Sequence, residues 1–158
     1  MLHHHHSVTC RHHDKHSAQE VLDEALHRAK DGGLRRTRAL EDVLRILIAS
    51  HQPLNLADIS ESKGLKSGAD RATVYRLLVK LEERGIIRRL GLHDRSTYYT
   101  MLEHDRHDDY LICTGCGRIQ RLDIQCPVEA LERDIEKASG FKKLHHELEF
   151  YGLCPKCA

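Results

Sequence analysis

The chain has 158 residues, enough for one domain of common size or two small ones, and a small second domain has a thin core that needs a staple such as a metal. Its 40% apolar and 31% charged residues are those of a soluble globular protein, and no apolar run approaches the length that spans a bilayer. The net charge of +1 hides an asymmetry: residues 1–102 sum to +4 and residues 103–158 to −3, so the two parts face different partners.

The first sixteen residues hold seven of the fourteen histidines and no apolar periodicity, which predicts a disordered tail over 1–16. The run His3–His6 fits a tag remnant and a native metal-scavenging arm alike. No secretory leader is visible at the N-terminus, so the six cysteines are expected in a reducing cytoplasm.

Val21, Leu22, Ala25, Leu26 and Ala29 form one helical stripe, which Gly32 and Gly33 stop. Leu40, Val43, Leu44, Leu47 and Ile48 form a second, broken at His51-Gln52-Pro53, and a short helix follows over 55–63. Asp70 caps a helix with the stripe Val74, Leu77, Leu78 and Leu81, ended by Gly85. The β-prone runs 86–89 and 97–101 flank a turn and read as a ribbon. Helix, turn, helix and ribbon in this order make a winged helix over 17–102. In such a unit the second helix of the pair lies in the DNA major groove while the ribbon and the other helices touch phosphates. On the predicted reading helix, Arg71, Thr73, Tyr75, Arg76 and Lys80 face away from the leucines and suit contacts with base edges, thymine methyls and phosphates; a merely solvated polar face is the alternative.

Past residue 103 the pattern changes to an α/β unit over 103–158. Strands are predicted over 110–113 and 117–122, a helix carries Val128, Leu131, Ile135 and Ala138 and stops at Gly140, and a last strand runs over 142–151 with Leu144, His146, Leu148 and Phe150 on one face. Two Cys-x-x-Cys pairs, Cys113/Cys116 and Cys154/Cys157, stand 37 residues apart around these elements. Each pair turns two thiolates toward one centre, and four thiolates make the closed tetrahedral shell of a structural zinc ion; disulfides or a redox pair are the alternative. Cys10 and Cys126 stand alone. Cys126 sits before Pro127 at a helix start, where a thiolate would be stabilised, though an inert small side chain explains it as well.

A second cluster reads from the same region: His107 and Asp109 point to one side of a strand, Glu129 lies in the first turn of the helix, and His146 lies on the last strand. Two histidines and two carboxylates suit Zn²⁺, Fe²⁺, Mn²⁺ or Co²⁺, the alternative being a salt-bridged surface with a structural histidine.

The run Ala72-Thr73-Val74-Tyr75-Arg76, the His/Asp-rich stretch 104–109, Cys113-x-x-Cys116-Gly117 and the closing Tyr151-Gly152-Leu153-Cys154-x-x-Cys157 together resemble the ferric uptake regulator family over residues 20 to 158. The resemblance implies a homodimer with N-terminal winged helices and a C-terminal dimerisation domain, which binds AT-rich palindromic operators when metal-loaded and represses iron- or zinc-uptake genes. It implies that Tyr75 and Arg76 contact DNA and that His107, Asp109, Glu129 and His146 form a metal site beside the structural zinc, taking Zn²⁺ or Fe²⁺, with Mn²⁺ also accommodated. This chain departs from the family at the domain hinge, where the usual ligand positions correspond to Gln52 or Pro53, Tyr99, Asp108 and Tyr110; His51, His93, Glu103 and His104 are close enough in sequence to build a displaced site. Ala39-Leu40 likewise replaces a Gln-Arg pair that the family carries after the threonine of the second helix, which removes one phosphate contact. A peroxide- or redox-sensing regulator of the same family is the alternative function. A zinc hydrolase is disfavoured, because the four-cysteine site has no open position and no His-Glu-x-x-His is present.

Overall fold

The structure, a computed structural model, describes residues 17–50, 52–91, 97–102, 108–122, 124, 126–142, 144 and 146–158. α1 (Ala18–Asp31) opens with a capping box in which the Ser17 hydroxyl accepts from the Glu20 amide and the Glu20 carboxylate accepts from the Ser17 amide. α2 (Arg38–Ala49) is capped by Thr37 and buries Leu40, Val43, Leu44, Ile46 and Leu47. A two-residue strand, β1 (Leu54–Asn55), leads into α3 (Leu56–Ser60), whose own capping box joins Asn55 and Asp58. This helix is shorter than the sequence pattern over 55–63 predicts.

α4 (Arg71–Glu83) begins at Asp70, whose carboxylate accepts from the Thr73 amide at 2.7 Å, and ends before Gly85 at φ 62°, a left-handed turn that favours glycine. Val74, Leu78 and Leu81 are fully buried and Leu77 packs beside them, as the spacing predicts. They meet Leu22, Leu40, Leu44, Ile59, Ile86 and Ile87 in one core, where each fully buried leucine contributes about 1.5–3 kcal/mol. The buried Asp42 carboxylate accepts the Ser67 amide at 2.6 Å and so ties α2 to the loop that delivers α4.

β2 (Ile87–Leu90) and β3 (Tyr98–Met101) form the ribbon, and β1 adds to it in the antiparallel order β1-β3-β2. The sequence pattern missed β1, because two residues after a proline carry no alternation. Arg28 of α1 donates to the carbonyls of Gly85 and Leu102 and ties the open end of the ribbon, where β2 begins and β3 ends, to the helices.

The second sheet holds β4 (Asp109–Cys113), β5 (Ile119–Leu122) and β6 (Glu149–Gly152) in the order β5-β4-β6, with β6 parallel to β4. α5 (Glu129–Ser139) makes the crossover and ends at Gly140, φ 75°. The long last strand expected over 142–151 is corrected: only its end pairs, because the ladder partner β4 begins at Asp109 and the register sets Tyr110 opposite Glu149. His146 therefore lies before β6 rather than on a strand face.

The two sheets share a small cluster in which Leu90 and Tyr98 of the ribbon pack against Tyr110, Ile112 and Ile119. Beside it Arg88, 7% exposed, donates to the Asp108 carbonyl at 3.3 Å, approaches Glu149 at 3.5 Å and Glu147 at 3.9 Å, and lies 5.4 Å from the centre of the Tyr110 ring. No helix among the described residues is long and apolar enough to cross a membrane.

Candidate metal centre and nucleic-acid interface

Cys113 closes β4, and the chain then turns so tightly that the Gly117 amide donates to the Cys113 carbonyl at 2.9 Å with Gly117 at φ 75°. Cys154 and Cys157 form the matching turn after β6, closed by the Cys157 amide on the Cys154 carbonyl at 2.8 Å. Parallel pairing of β4 with β6 brings both turns to one end of the sheet, where Thr114 donates its amide to the Gly152 carbonyl at 2.8 Å.

The four sulfurs of Cys113, Cys116, Cys154 and Cys157 all lie within 4.8 Å of one another, the one group of three or more such ligands among the described residues. All four are thiols, and Cys116 Sγ stands 3.8 Å from Cys154 Sγ. Sulfurs bound at about 2.3 Å to a tetrahedral zinc stand about 3.8 Å apart, the spacing of the Cys116–Cys154 pair, so the cluster suits that ion.

The electrostatics point the same way. Amides of Cys116 and Cys154 donate to Cys113 Sγ at 3.4 and 3.3 Å and lower its pKa to about 6. The neighbouring thiols of Cys154, Cys116 and Cys113 instead push Cys157 up to about 12. The fold thus favours a thiolate at Cys113, and a bound cation would offset the crowding that keeps the proton on Cys157.

Gly115 is the tightest point of this turn. A Cβ there would lie 2.8 Å from Cys157 Cβ and 3.0 Å from its sulfur. Gly115→Ala is therefore expected to displace Cys157 and weaken zinc retention about tenfold to hundredfold, as read by competition with a chromophoric chelator; unchanged retention would mean that the turn gives way freely.

The second predicted cluster is placed differently from its sequence picture. Asp109 is buried in β4. Glu129 lies at the start of α5 with its carboxylate exposed and paired to Arg133 at 2.6 Å, so it is not brought to His146. His146 is met instead by Glu132, one turn further along α5, at 3.2 Å on Nδ1, and by Cys126 Sγ at 3.2 Å on Nε2. Glu132 was within reach of sequence reasoning, since a residue three along shares the helix face of Glu129. His107, His51, His93, Glu103 and His104 lie outside the described residues.

The departures at the hinge have a structural counterpart. Tyr99 and Tyr110 are buried, Pro53 is buried, and Asp108 pairs with Arg121 at 2.8 Å. The buried cation beside Asp108 and Tyr110 is Arg88, and no sequence signal set it apart from its neighbour Arg89.

On α4 the leucine stripe leaves Arg71, Tyr75, Arg76 and Lys80 on the outer face. Tyr75 is half exposed, large and apolar, with no core to enter. Thr73 is committed to the helix start: its hydroxyl and amide hold the Asp70 carboxyl below its usual range, and Arg76 donates to its hydroxyl at 3.4 Å.

On the α/β side, α5 buries none of its residues. Leu131 is 56% and Ile135 44% exposed, and Leu111, Phe141, Phe150, Tyr151 and Leu153 add further uncovered apolar surface. Exposed apolar side chains, where they are contiguous, are characteristic of protein interfaces.

A model of the ferric uptake regulator family matches residues 31–151. The ferric uptake regulation protein of Legionella pneumophila is 32% identical over 130 residues, covering 81% of this chain and 94% of that protein. The peroxide operon regulator of Bacillus subtilis (strain 168) is 32% identical over 143 residues, covering 89% of this chain and 96% of that protein. The solved ferric uptake regulator of Francisella tularensis with iron is 30% identical at a TM-score of 0.58, covering 79% of this chain and 95% of that one. The Helicobacter pylori regulator, at 24% identity, shares the fold at a TM-score of 0.66, covering 90% of this chain and 94% of that one. With a winged helix that exposes a basic face on α4, a cluster of four thiols and an α/β unit with exposed apolar side chains, the chain belongs to the ferric uptake regulator family of dimeric, metal-responsive, DNA-binding transcriptional regulators, which are not enzymes.

Proposed function

We propose that the protein represses metal-homeostasis genes, for iron or zinc uptake, by binding an AT-rich palindromic operator as a homodimer when a divalent metal is bound. In this reading residues 17–102 are the DNA-binding domain, 103–158 the dimerisation and sensing domain, and 1–16 a tail. Cys113, Cys116, Cys154 and Cys157 hold a structural zinc. His107, Asp109, Glu129 and His146 supply the residues from which a second site for Zn²⁺, Fe²⁺ or Mn²⁺ is drawn, and His93, Glu103 and His104 remain the candidates for a hinge ligand.

The observation that carries the reading is the outer face of α4, where Arg71, Tyr75, Arg76 and Lys80 are exposed on a helix held by capping and a complete leucine stripe. Arginine reads guanine edges or a narrow AT-rich minor groove, and an exposed tyrosine suits thymine methyls and phosphate. Metal acts by binding the DNA-competent spacing of two winged helices more tightly than other spacings, and a coupling of about 1–3 kcal/mol is the usual size.

Tyr75→Ala is expected to weaken operator binding by about 1–3 kcal/mol in a mobility-shift assay while the dimer's elution volume stays unchanged. Full affinity with a lost dimer would remove α4 from the groove. The peroxide-sensing alternative draws support from the Bacillus subtilis relative and from the thiol beside His146. It predicts that hydrogen peroxide abolishes operator binding under metal loading that otherwise sustains it.

A further inference from the structure

Cys126, His146 and Glu132 come together from three parts of the chain: the residue before Pro127, the segment ahead of β6, and the first turn of α5. The imidazole is held from both sides, with Glu132 Oε2 on Nδ1 and Cys126 Sγ on Nε2, each at 3.2 Å. A carboxylate on one ring nitrogen fixes the tautomer in which the other nitrogen offers its lone pair, which is how metal-ligating histidines are oriented. That other nitrogen faces a sulfur. Two ligands of one tetrahedral ion, at about 2.3 Å for sulfur and about 2.0–2.1 Å for nitrogen, stand about 3.6 Å apart, so the pair needs a shift of only a few tenths of an ångström to share a metal.

Glu132 sets a carboxylate against the same ring, with its Oε1 buried and without a hydrogen-bond partner among the described residues. A carboxylate on Nδ1 strengthens Nε2 as a metal donor. Glu129, the carboxylate expected from the sequence to complete the second site, is turned to Arg133 and solvent.

We infer that Cys126 Sγ and His146 Nε2 together ligate the second metal, with Glu132 supporting the histidine, so that this site has a mixed nitrogen and sulfur shell. The inference rests on the second-site reading through His146 and changes its chemistry. A thiolate ligand selects Zn²⁺ or Co²⁺ strongly over Mn²⁺, whereas an all-nitrogen-and-oxygen shell separates them weakly.

Cobalt(II) is the probe, added to full-length protein whose four-cysteine site already holds zinc. The expected result is a near-ultraviolet thiolate-to-cobalt charge-transfer band, with about one cobalt bound per chain and no zinc released. Cys126→Ser removes the band and leaves the zinc content unchanged. Glu132→Ala keeps the band but weakens cobalt binding about tenfold to hundredfold, and it tests the site independently should the serine variant fold poorly. Cobalt binding without the band, or with a band that survives Cys126→Ser, overturns the inference while leaving a second metal site in place. No cobalt bound beyond the zinc overturns both the inference and the second-site reading.

Discussion

Cys113→Ser is expected to lose its zinc and, with it, the C-terminal sheet. Among the described residues the sheet has little else to hold it: the cluster it shares with the ribbon fully buries Leu90, Tyr110 and Ile112 alone, and α5 contributes no buried side chain. Structural zinc sites bind with about 10–16 kcal/mol of apparent free energy, which matches or exceeds the whole stability of a typical domain. The N-terminal helices have their own core and are expected to persist, so amide exchange should accelerate in β4 and β6 while α1, α2 and α4 stay protected. Zinc analysis and exchange on the same sample check this, and a variant that keeps one zinc per chain with a protected β4 would sink the assignment. The pH dependence has a definite sign. Cys157 sits near 12 without an ion, so zinc must displace its proton at neutral pH. Retention therefore strengthens as pH rises and is lost as pH falls and protons reclaim the sulfurs, measurable as dye-detected zinc release during acidification.

The double variant Leu131→Asp, Ile135→Asp is expected to leave each chain folded but monomeric. Neither side chain has a place in the core of its own chain, so charge there costs the fold little. Aspartates buried in a two-fold interface do cost, because a symmetric contact doubles every substitution and the charges lose water. On the proposed reading, in which each winged helix holds half of a palindromic operator, separating them removes the effective-concentration gain of a linked pair, and operator affinity should fall about 10²–10⁴-fold. Sedimentation and mobility-shift titration check the two halves separately. A variant that remains dimeric would move the interface away from α5.

These expectations show which features the amino-acid order carries openly. Caps and stripes are local: Ser17 with Glu20, Thr37, Asp70 and the Val74, Leu78, Leu81 set define their helices within a few residues, and the paired Cys-x-x-Cys turns announce a tetrathiolate centre whatever lies between them. Features that depend on a distant partner were hidden. The alternation over 142–151 looks like one strand, but a strand exists only where a neighbour offers a ladder, and β4 offers it from Asp109 onward. β1 is the converse, two residues made into a strand by Tyr98 and Tyr99. Helical spacing likewise cannot distinguish apolar residues that enter the chain's own core from those left at its surface, as Leu131 and Ile135 illustrate. Glu132 in place of Glu129 beside His146 is a difference of one helical turn, below what spacing resolves.

Arg88 has a kinetic meaning. It sits where the ribbon meets the second sheet, buried against Tyr110 and the Glu149 carboxylate, and a guanidinium keeps its charge across the whole physiological pH range. A bound ion has an off-rate, a competitor and a supply that runs low; a cation built into the chain has none of these. While the zinc keeps the second sheet folded, this contact between ribbon and sheet is therefore expected to outlast the emptying of any exchangeable metal site, so that on the proposed reading such an ion tunes a joint that is already made.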